Sequence, residues 1–317
     1  ADQPAFMVRK VFAGTTVEHT LPDMLTLGQD WQPAVVIRES MEFSGHLMAE
    51  ALGVPHAVVE VAAWRPYLHR LAGEALDRFR SGIGLSSDPD PASLFRHLLL
   101  IPRPPSSLDQ ATLPATAHIV QPLIFDQSGD EQLPGWVDEL PDQPLVYATL
   151  GTVFNQAPGV LEAIIEGLRD EPITLVVTTG RDKDPAAFGP QSPNVHIERY
   201  IPQSLLFPRC DAVVTHGGSG TVMAALRDGL PMIVIPIAAD QPENARLCAR
   251  TGVGRVIEPG SRTPGAIREA TRDVLGDPKY RARAVQIRGE IAALPGLDRA
   301  VHLIENLATV HPAPPGI

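Results

Sequence analysis

The sharpest chemical signal in the sequence is a glycine-rich turn between an apolar run and a helix. Residues 213–221 read VVTHGGSGT. A helix beginning here offers unpaired N–H groups and the positive end of its dipole, and glycines let an anion approach the backbone. Ser219 and Thr221 add hydroxyl donors, and His216 adds a ring N–H. The pattern favours a phosphate site; the alternative is a plain strand–helix turn with Ser219 as the helix N-cap.

Two further polar turns follow apolar runs in the same half of the chain. Residues 149–152 read TLGT, and Asp240 and Gln241 come shortly after the apolar residues 232–237. Ligands of open α/β sheets bind outside the carboxyl ends of the strands, so we expect all three turns to border one cleft. A carboxylate beside an amide can bind adjacent sugar hydroxyls. The alternative for Asp240 is that it caps a helix beginning at Pro242.

Short apolar runs that alternate with helical stretches must hold these turns. The first half carries strand patterns at residues 34–38, 57–61 and 118–122, and a more regular alternation begins at residue 145. This alternation is typical of a parallel sheet covered on both faces. We expect residues 1–128 to form a first domain, 129–142 a polar linker, and 143–317 a second domain that includes the C-terminal helix.

Composition narrows the function classes. The 317 residues are 44% hydrophobic and 20% charged, which excludes a disordered or collagen-like chain. The formal net charge of −11 argues against a nucleic-acid-binding protein, which needs a basic face. The longest apolar run, residues 232–239, is too short to span a bilayer. Two cysteines make no disulfide scaffold, so we expect a cytoplasmic protein.

Four motifs in one order give a family resemblance. They are YIPQ at residues 200–203, HGGSGT at 216–221, GLP at 229–231 and DQPENA at 240–245. Together they resemble family 1 glycosyltransferases of the GT-B fold, in particular bacterial enzymes of antibiotic biosynthesis that attach deoxysugars to macrolides, polyketides and other natural products. A looser similarity extends from Trp31 to the last helix.

The resemblance implies an α/β chain with two Rossmann-like doubly wound domains that face a cleft. It implies inverting transfer of an activated sugar from a dTDP-sugar to a hydroxyl of a lipophilic aglycone, without a metal or other cofactor. A homodimer remains open. The nucleobase of the donor would lie against Tyr200, Ile201 and Pro202, and its sugar against Asp240 and Gln241. The diphosphate would lie against the remaining donor-binding residues: Thr152, His216, Gly217, Gly218, Ser219, Gly220 and Thr221.

Two departures from the family pattern matter. Relatives that use UDP-sugars carry a glutamate on the helix after the glycine-rich turn, where this chain has Ala224, so we expect dTDP rather than UDP. The family's general base is a histidine after the first strand of the N-terminal domain, and no such turn precedes Ala34. We therefore expect the first βα units to be absent and leave the base unassigned, because His19, His46 and His56 lack the motif.

Other residues carry weaker interpretations. Met41, Phe43, Trp64 and Tyr67 lie near loop positions and would line an acceptor pocket, although core packing explains each of them as well. Two Asp-x-Asp pairs, at residues 88–90 and 182–184, lie in polar loops, where we expect no metal. The alternative functions are a UDP-sugar transferase or epimerase of the same fold, and a catalytically inactive nucleotide-sugar-binding protein.

Overall fold

The computed structural model describes residues 3–89, 91–127, 129–152 and 157–310, which divide into two compact units. The first unit contains residues up to 121 and returns at 294, and the second unit contains residues 122–293. The last helix therefore lies with the first unit, whereas the sequence analysis placed it in a domain spanning 143–317. Its apolar face explains the difference, because Ala300 and Leu303 pack in one cluster with Ala57 and Leu98 of the first unit.

The first unit is built on a parallel sheet of four strands in chain order. They are β1 (Val36–Glu39), β2 (His56–Val59), β3 (Leu98–Ile101) and β4 (Ala117–Ile119). Its helices are α1 (Gln3–Phe6), a π-helix (Met7–Thr16), α2 (Val17–Trp31), α3 (Ser44–Leu52), α4 (Pro66–Gly82), α11 (Leu297–Val310), and 3-10 turns at Ala92–Phe95, Pro105–Ser107 and Gln110–Thr112.

The second unit has a parallel sheet of six strands in the order β10-β9-β8-β5-β6-β7. They are β5 (Leu145–Thr149), β6 (Thr174–Thr178), β7 (Val195–Glu198), β8 (Ala212–Thr215), β9 (Met232–Val234) and β10 (Gly254–Val256). Its helices are α5 (Val160–Leu168), α6 (Gln203–Leu206), α7 (Ser219–Arg227), α8 (Gln241–Thr251), α9 (Pro264–Gly276), α10 (Pro278–Ala292), and 3-10 turns at Gly135–Glu139, Pro185–Phe188, Phe207–Arg209 and Pro259–Ser261.

The second sheet is covered on both faces, as continuous apolar strands require. In β5, Tyr147 belongs to one core cluster, whereas Val146 and Ala148 belong to the other. Residues 129–142, expected as a polar linker, pack on this unit through Trp136 and Val137.

The strand order creates a crevice beside β5. The chain runs from β5 through β6 to β7 on one side, then crosses to β8 and continues to β9 and β10 on the other. Such a reversal opens a crevice at the carboxyl ends of the two central strands. Thr149 of β5 lies in register with Thr215 of β8, so the turns that follow these strands are neighbours.

Candidate functional site

A cavity of about 540 Å³ lies at the carboxyl edge of the second unit's sheet. Pro202 and Gly217, two of the predicted donor-binding residues, do not line it. The other predicted residues do, from turns far apart in the chain: Thr152, Tyr200, Ile201, His216, Gly218, Ser219, Gly220, Thr221, Asp240 and Gln241.

His216 lies in the middle of this edge, directly after β8, with its ring between two glycines. A Cβ atom on Gly151 would stand 2.6 Å from the His216 Cε1 atom, and one on Gly218 would overlap Nε2. Gly151 also has a left-handed backbone, with φ of 73°. Burial lowers the pKa of His216 to about 4, opposed by the nearby Asp240 carboxylate. The imidazole is therefore neutral at neutral pH and carries one N–H donor.

Helix α7 starts at this point without a side-chain cap. Its N-cap residue is Gly218, with extended backbone and no side-chain capping hydrogen bond. Ser219 is thus not the N-cap; its hydroxyl instead donates to Asp240 Oδ2 at 2.7 Å. An uncapped helix start that lines a cavity, with a neutral histidine beside it, is well suited to bind an anion.

The turn after β9 supplies Asp240 and Gln241 in different ways. Asp240 precedes α8 but its carboxylate does not cap that helix. Gln241 is 2% exposed, and its Oε1 atom accepts hydrogen bonds from the Ile237 and Ala238 N–H groups at 2.7 and 2.8 Å. The glutamine therefore shapes this loop with its carbonyl oxygen, and only its NH₂ group is left to contact a ligand.

The opposite end of the cavity is formed by the loop after β7. The Tyr200 hydroxyl donates to the Asp126 carbonyl oxygen, and the Asp126 carboxylate accepts from the Ser204 N–H at 2.7 Å. These bonds hold residues 123–126 at the rim, where the Phe125 side chain is 90% exposed. Sequence reasoning missed this segment, because an apolar stretch in a polar region carries no motif.

The comparisons with known proteins agree with this geometry. Residues 170–307 match the family model described as the erythromycin biosynthesis protein CIII-like C-terminal domain. Tylactone mycaminosyltransferase of Streptomyces fradiae is 28% identical, over 98% of this chain and 72% of that protein. The structure of spinosyn rhamnosyltransferase SpnG has a TM-score of 0.84 and 25% identity, covering 96% of this chain and 84% of that one. Glycosyltransferase VinC, in complex with dTDP, has a TM-score of 0.78 and 26% identity, covering 98% and 83%.

This chain is a glycosyltransferase, similar to the natural-product enzymes named above. The predicted GT-B fold and the resemblance to natural-product glycosyltransferases are both confirmed.

Ala224 of the glycosyltransferase lies away from the cavity. The residue is completely buried in the core cluster between α7 and α10 and does not line the site. The expected preference for dTDP over UDP therefore rests on the absence of a glutamate at this position, not on a contact made by Ala224.

The four proposed acceptor residues have different environments in the first unit. Phe43 is 1% exposed and belongs to the core, where Met41 also packs, so both have packing roles. Trp64 stacks on His69 with 5.4 Å between ring centroids and donates its indole N–H to Thr112 Oγ1 at 3.1 Å. Tyr67, on the first turn of α4, is 40% exposed.

The histidines considered for the base do not share one environment. His19 is exposed on α2. His46 and His56 are buried with ring centroids 5.1 Å apart, and burial lowers the pKa of both, that of His56 to about 3. The structure therefore assigns no base among these three residues.

The two Asp-x-Asp pairs have structural partners. Asp88 accepts hydrogen bonds from Ser93, and Asp90 lies outside the described residues. Asp184 caps the turn at Pro185–Phe188 and pairs with Arg199. Within the described ranges, no three His, Cys, Asp or Glu side chains are grouped as metal ligands. No helix in the described part of the chain is long and apolar enough to cross a membrane.

Proposed function

We propose that this glycosyltransferase transfers a deoxysugar from a dTDP-sugar to a hydroxyl group of a lipophilic natural product, with inversion at the anomeric carbon. One observation carries the proposal: the His216 ring lies between Gly151 and Gly218 at the uncapped start of α7, on the cavity that Asp240 also lines. The names of the relatives support the substrate class, since tylactone mycaminosyltransferase and spinosyn rhamnosyltransferase are both named for sugar transfer in natural products.

The donor would lie along the carboxyl edge of the sheet. Its sugar would contact Asp240 and Gln241 after β9, and its diphosphate would lie at the start of α7. Its nucleobase would lie near Tyr200 after β7. VinC in complex with dTDP supports a thymidine nucleotide. A UDP-sugar donor is the alternative that the binding experiment below distinguishes.

The chemistry would follow from this arrangement. The acceptor oxygen attacks the anomeric carbon from the face opposite the diphosphate, the carbon–oxygen bond to the diphosphate breaks, and the hydroxyl proton passes to a base that we leave unassigned. Negative charge grows on the leaving diphosphate. The first N–H groups of α7 and the His216 ring N–H would stabilise that charge, and preorganised donors of this kind lower the barrier. We include in the proposal that no resident metal or cofactor takes part.

The two cysteines bear on the cellular compartment in which the enzyme works. Cys210 and Cys248 are both buried and form no disulfide bond, and the pKa of Cys210 is raised by burial. Such thiols behave as small apolar side chains, which suits a reducing compartment. We propose that the glycosyltransferase works in the cytoplasm with two small-molecule partners, the nucleotide-sugar donor and the hydrophobic acceptor.

The test is calorimetric titration with dTDP and with UDP. We expect dTDP to bind more tightly, and His216→Ala to weaken dTDP binding by about 1–3 kcal/mol, the loss of a hydrogen bond to a charged group. His302→Ala, at an exposed site on α11, is the control. Unchanged dTDP affinity in His216→Ala would remove His216 from the diphosphate site, and tighter binding of UDP would overturn the donor assignment.

A further inference from the structure

We propose that Asn244 is a positioning residue for the donor sugar, acting by holding the Asp240 carboxylate in one orientation. This inference rests on the proposed function, in which Asp240 contacts that sugar. Asn244 lies in the first turns of α8 and is 0% exposed, so it does not contact a ligand in the cavity itself.

The Asn244 amide joins three parts of the site. Its Nδ2 atom lies 2.8 Å from the Gly217 carbonyl oxygen, 3.0 Å from Asp240 Oδ2 and 3.2 Å from Ser219 Oγ. These acceptors belong to the glycine-rich turn, the residue before α8 and the first residue of α7. One buried amide therefore ties the start of the diphosphate-binding helix to the carboxylate on the sugar side.

The two carboxylate oxygens of Asp240 therefore have different roles. Oδ2 accepts from both Ser219 Oγ and Asn244 Nδ2, at 2.7 and 3.0 Å, which uses its two lone pairs. Oδ1 is then the oxygen that remains to accept from a ligand. An ionised carboxylate oxygen accepts only, so the site selects a donor sugar with a hydroxyl or protonated amino group at this point.

Without Asn244, Asp240 would keep one of its two holding bonds. Its carboxylate would then sample other orientations, and the sugar contact would weaken while the nucleotide contacts remained. The effect should therefore appear in the contribution of the sugar to binding, and it should depend on the presence of Asp240.

A double-mutant cycle with two probes, dTDP and dTDP-glucose, tests this dependence. The measured quantity is the dissociation constant of dTDP divided by that of dTDP-glucose. This sugar ratio isolates the contribution of the sugar to binding. We expect Asn244→Ala to lower this ratio at least fivefold in the wild-type background and to leave it unchanged in an Asp240→Ala background, because interacting residues are non-additive. Asn194→Ala is the matched control, since its amide also donates to a backbone carbonyl, that of Ile173 at 2.9 Å, outside the cavity.

A second variant gives a readout that loss of packing would not produce. Asn244→Asp keeps the shape but places a second carboxylate about 3.0 Å from Asp240. Two carboxylates this close share a proton, which raises the pKa of one of them. We expect the sugar ratio of this variant to be low at pH 8 and to recover as the pH falls to 6, when the introduced carboxyl group is protonated and donates to Asp240. The wild-type ratio should not show this recovery.

The outcomes separate the inference from the proposed function. An unchanged sugar ratio in Asn244→Ala, or an equal loss in the Asp240→Ala background, overturns the inference alone. Absence of pH recovery in a folded Asn244→Asp protein also overturns it, and this variant serves if Asn244→Ala does not fold. If wild-type protein binds neither probe, or binds both equally, the proposed donor arrangement itself fails.

Discussion

The carboxyl edges of the two sheets are built in opposite ways. In the second unit, glycines at positions 151 and 218 leave room for an imidazole and for a ligand, and the edge is open as a cavity. In the first unit, charged side chains lie near the carboxyl ends of two strands: Arg38 belongs to β1, and Glu60 directly follows β2. Arg38 is 5% exposed and Glu60 is 2% exposed.

The first unit's edge is closed by hydrogen bonds of these side chains with the backbone and with Ser40. The Arg38 guanidinium donates to the Leu94 and Glu42 carbonyl oxygens at 2.6 and 3.0 Å, and Ser40 donates to Glu60 Oε1 at 2.8 Å. The absence of Cβ atoms at Gly151 and Gly218 thus leaves room for a ligand at one edge, whereas buried polar side chains make the other edge a structural centre. A parallel sheet can therefore support either a ligand site or a buried polar cluster, and the residues at and just beyond the carboxyl ends of the strands decide which one forms.

The largest effect should come from breaking the closed edge. Burial lowers the pKa of Arg38 to about 10, and the residue remains charged. We expect Arg38→Met to destabilise the protein by about 3 kcal/mol, because it leaves buried carbonyl acceptors without donors. Urea unfolding followed by circular dichroism measures the loss. Arg78→Met, at an exposed position of α4, is the control and should change stability by less than about 1 kcal/mol. Equal losses of unfolding free energy in the two variants would show that Arg38 contributes no more to stability than an exposed arginine.

Acid should weaken the first unit through its buried histidines. The pKa of His56 is lowered to about 3, first by burial and then by the charges of Arg38 and His97. The unfolded chain therefore binds one more proton than the folded chain at pH values between 6.5 and 3, so stability is lost as the pH falls through this window. Between pH 6.5 and 5 we expect a loss of about 2 kcal/mol from this group.

The measurement is the free energy of unfolding in urea between pH 7.5 and 5. His56→Leu should flatten its dependence on pH, whatever the variant's stability at pH 7.5, and His302→Gln on α11 should not. A pH dependence that is the same in His56→Leu and wild-type protein would contradict a neutral, buried His56.

The open edge should be sensitive to a single methyl group. Gly218→Ala introduces a Cβ that overlaps the His216 ring, although its φ of −62° is allowed for alanine. We expect displacement of His216 and roughly tenfold weaker dTDP binding, about 1.4 kcal/mol. Gly265→Ala, in the first turn of α9 with open space around its Cβ, is the control. Undiminished affinity in Gly218→Ala would mean that the ring does not need its observed position.

The two edges also differ in how far the sequence predicts them. The open edge depends on local patterns: the apolar run before His216 forms β8, which ends at Thr215. The glycine-rich turn and the helix that follow it indicate a ligand site within a few residues. The closed edge depends on partners distant in the chain. Arg38 donates to the carbonyl oxygen of Leu94, 56 residues further along the chain, and neither hydrophobic periodicity nor residue propensity predicts that pairing.

The same distinction explains what was missed at the site. The bond between Tyr200 and Asp126 spans 74 residues, so the rim segment could not be found from its own composition. The C-terminal helix was assigned by its position in the chain, whereas its apolar face determines the unit on which it packs.

The smallest expected effect concerns metals at the open edge. In the proposed mechanism, α7 and His216 supply the stabilisation of the leaving diphosphate, and Asp184 is used in capping a turn and pairing with Arg199. We therefore expect EDTA to leave the initial rate of dTDP release from a dTDP-sugar unchanged, and Asp184→Asn to leave dTDP affinity unchanged. A rate that falls in EDTA and returns with Mg²⁺ would place a cation on the diphosphate, and the role given to His216 and the helix start would then have to be shared.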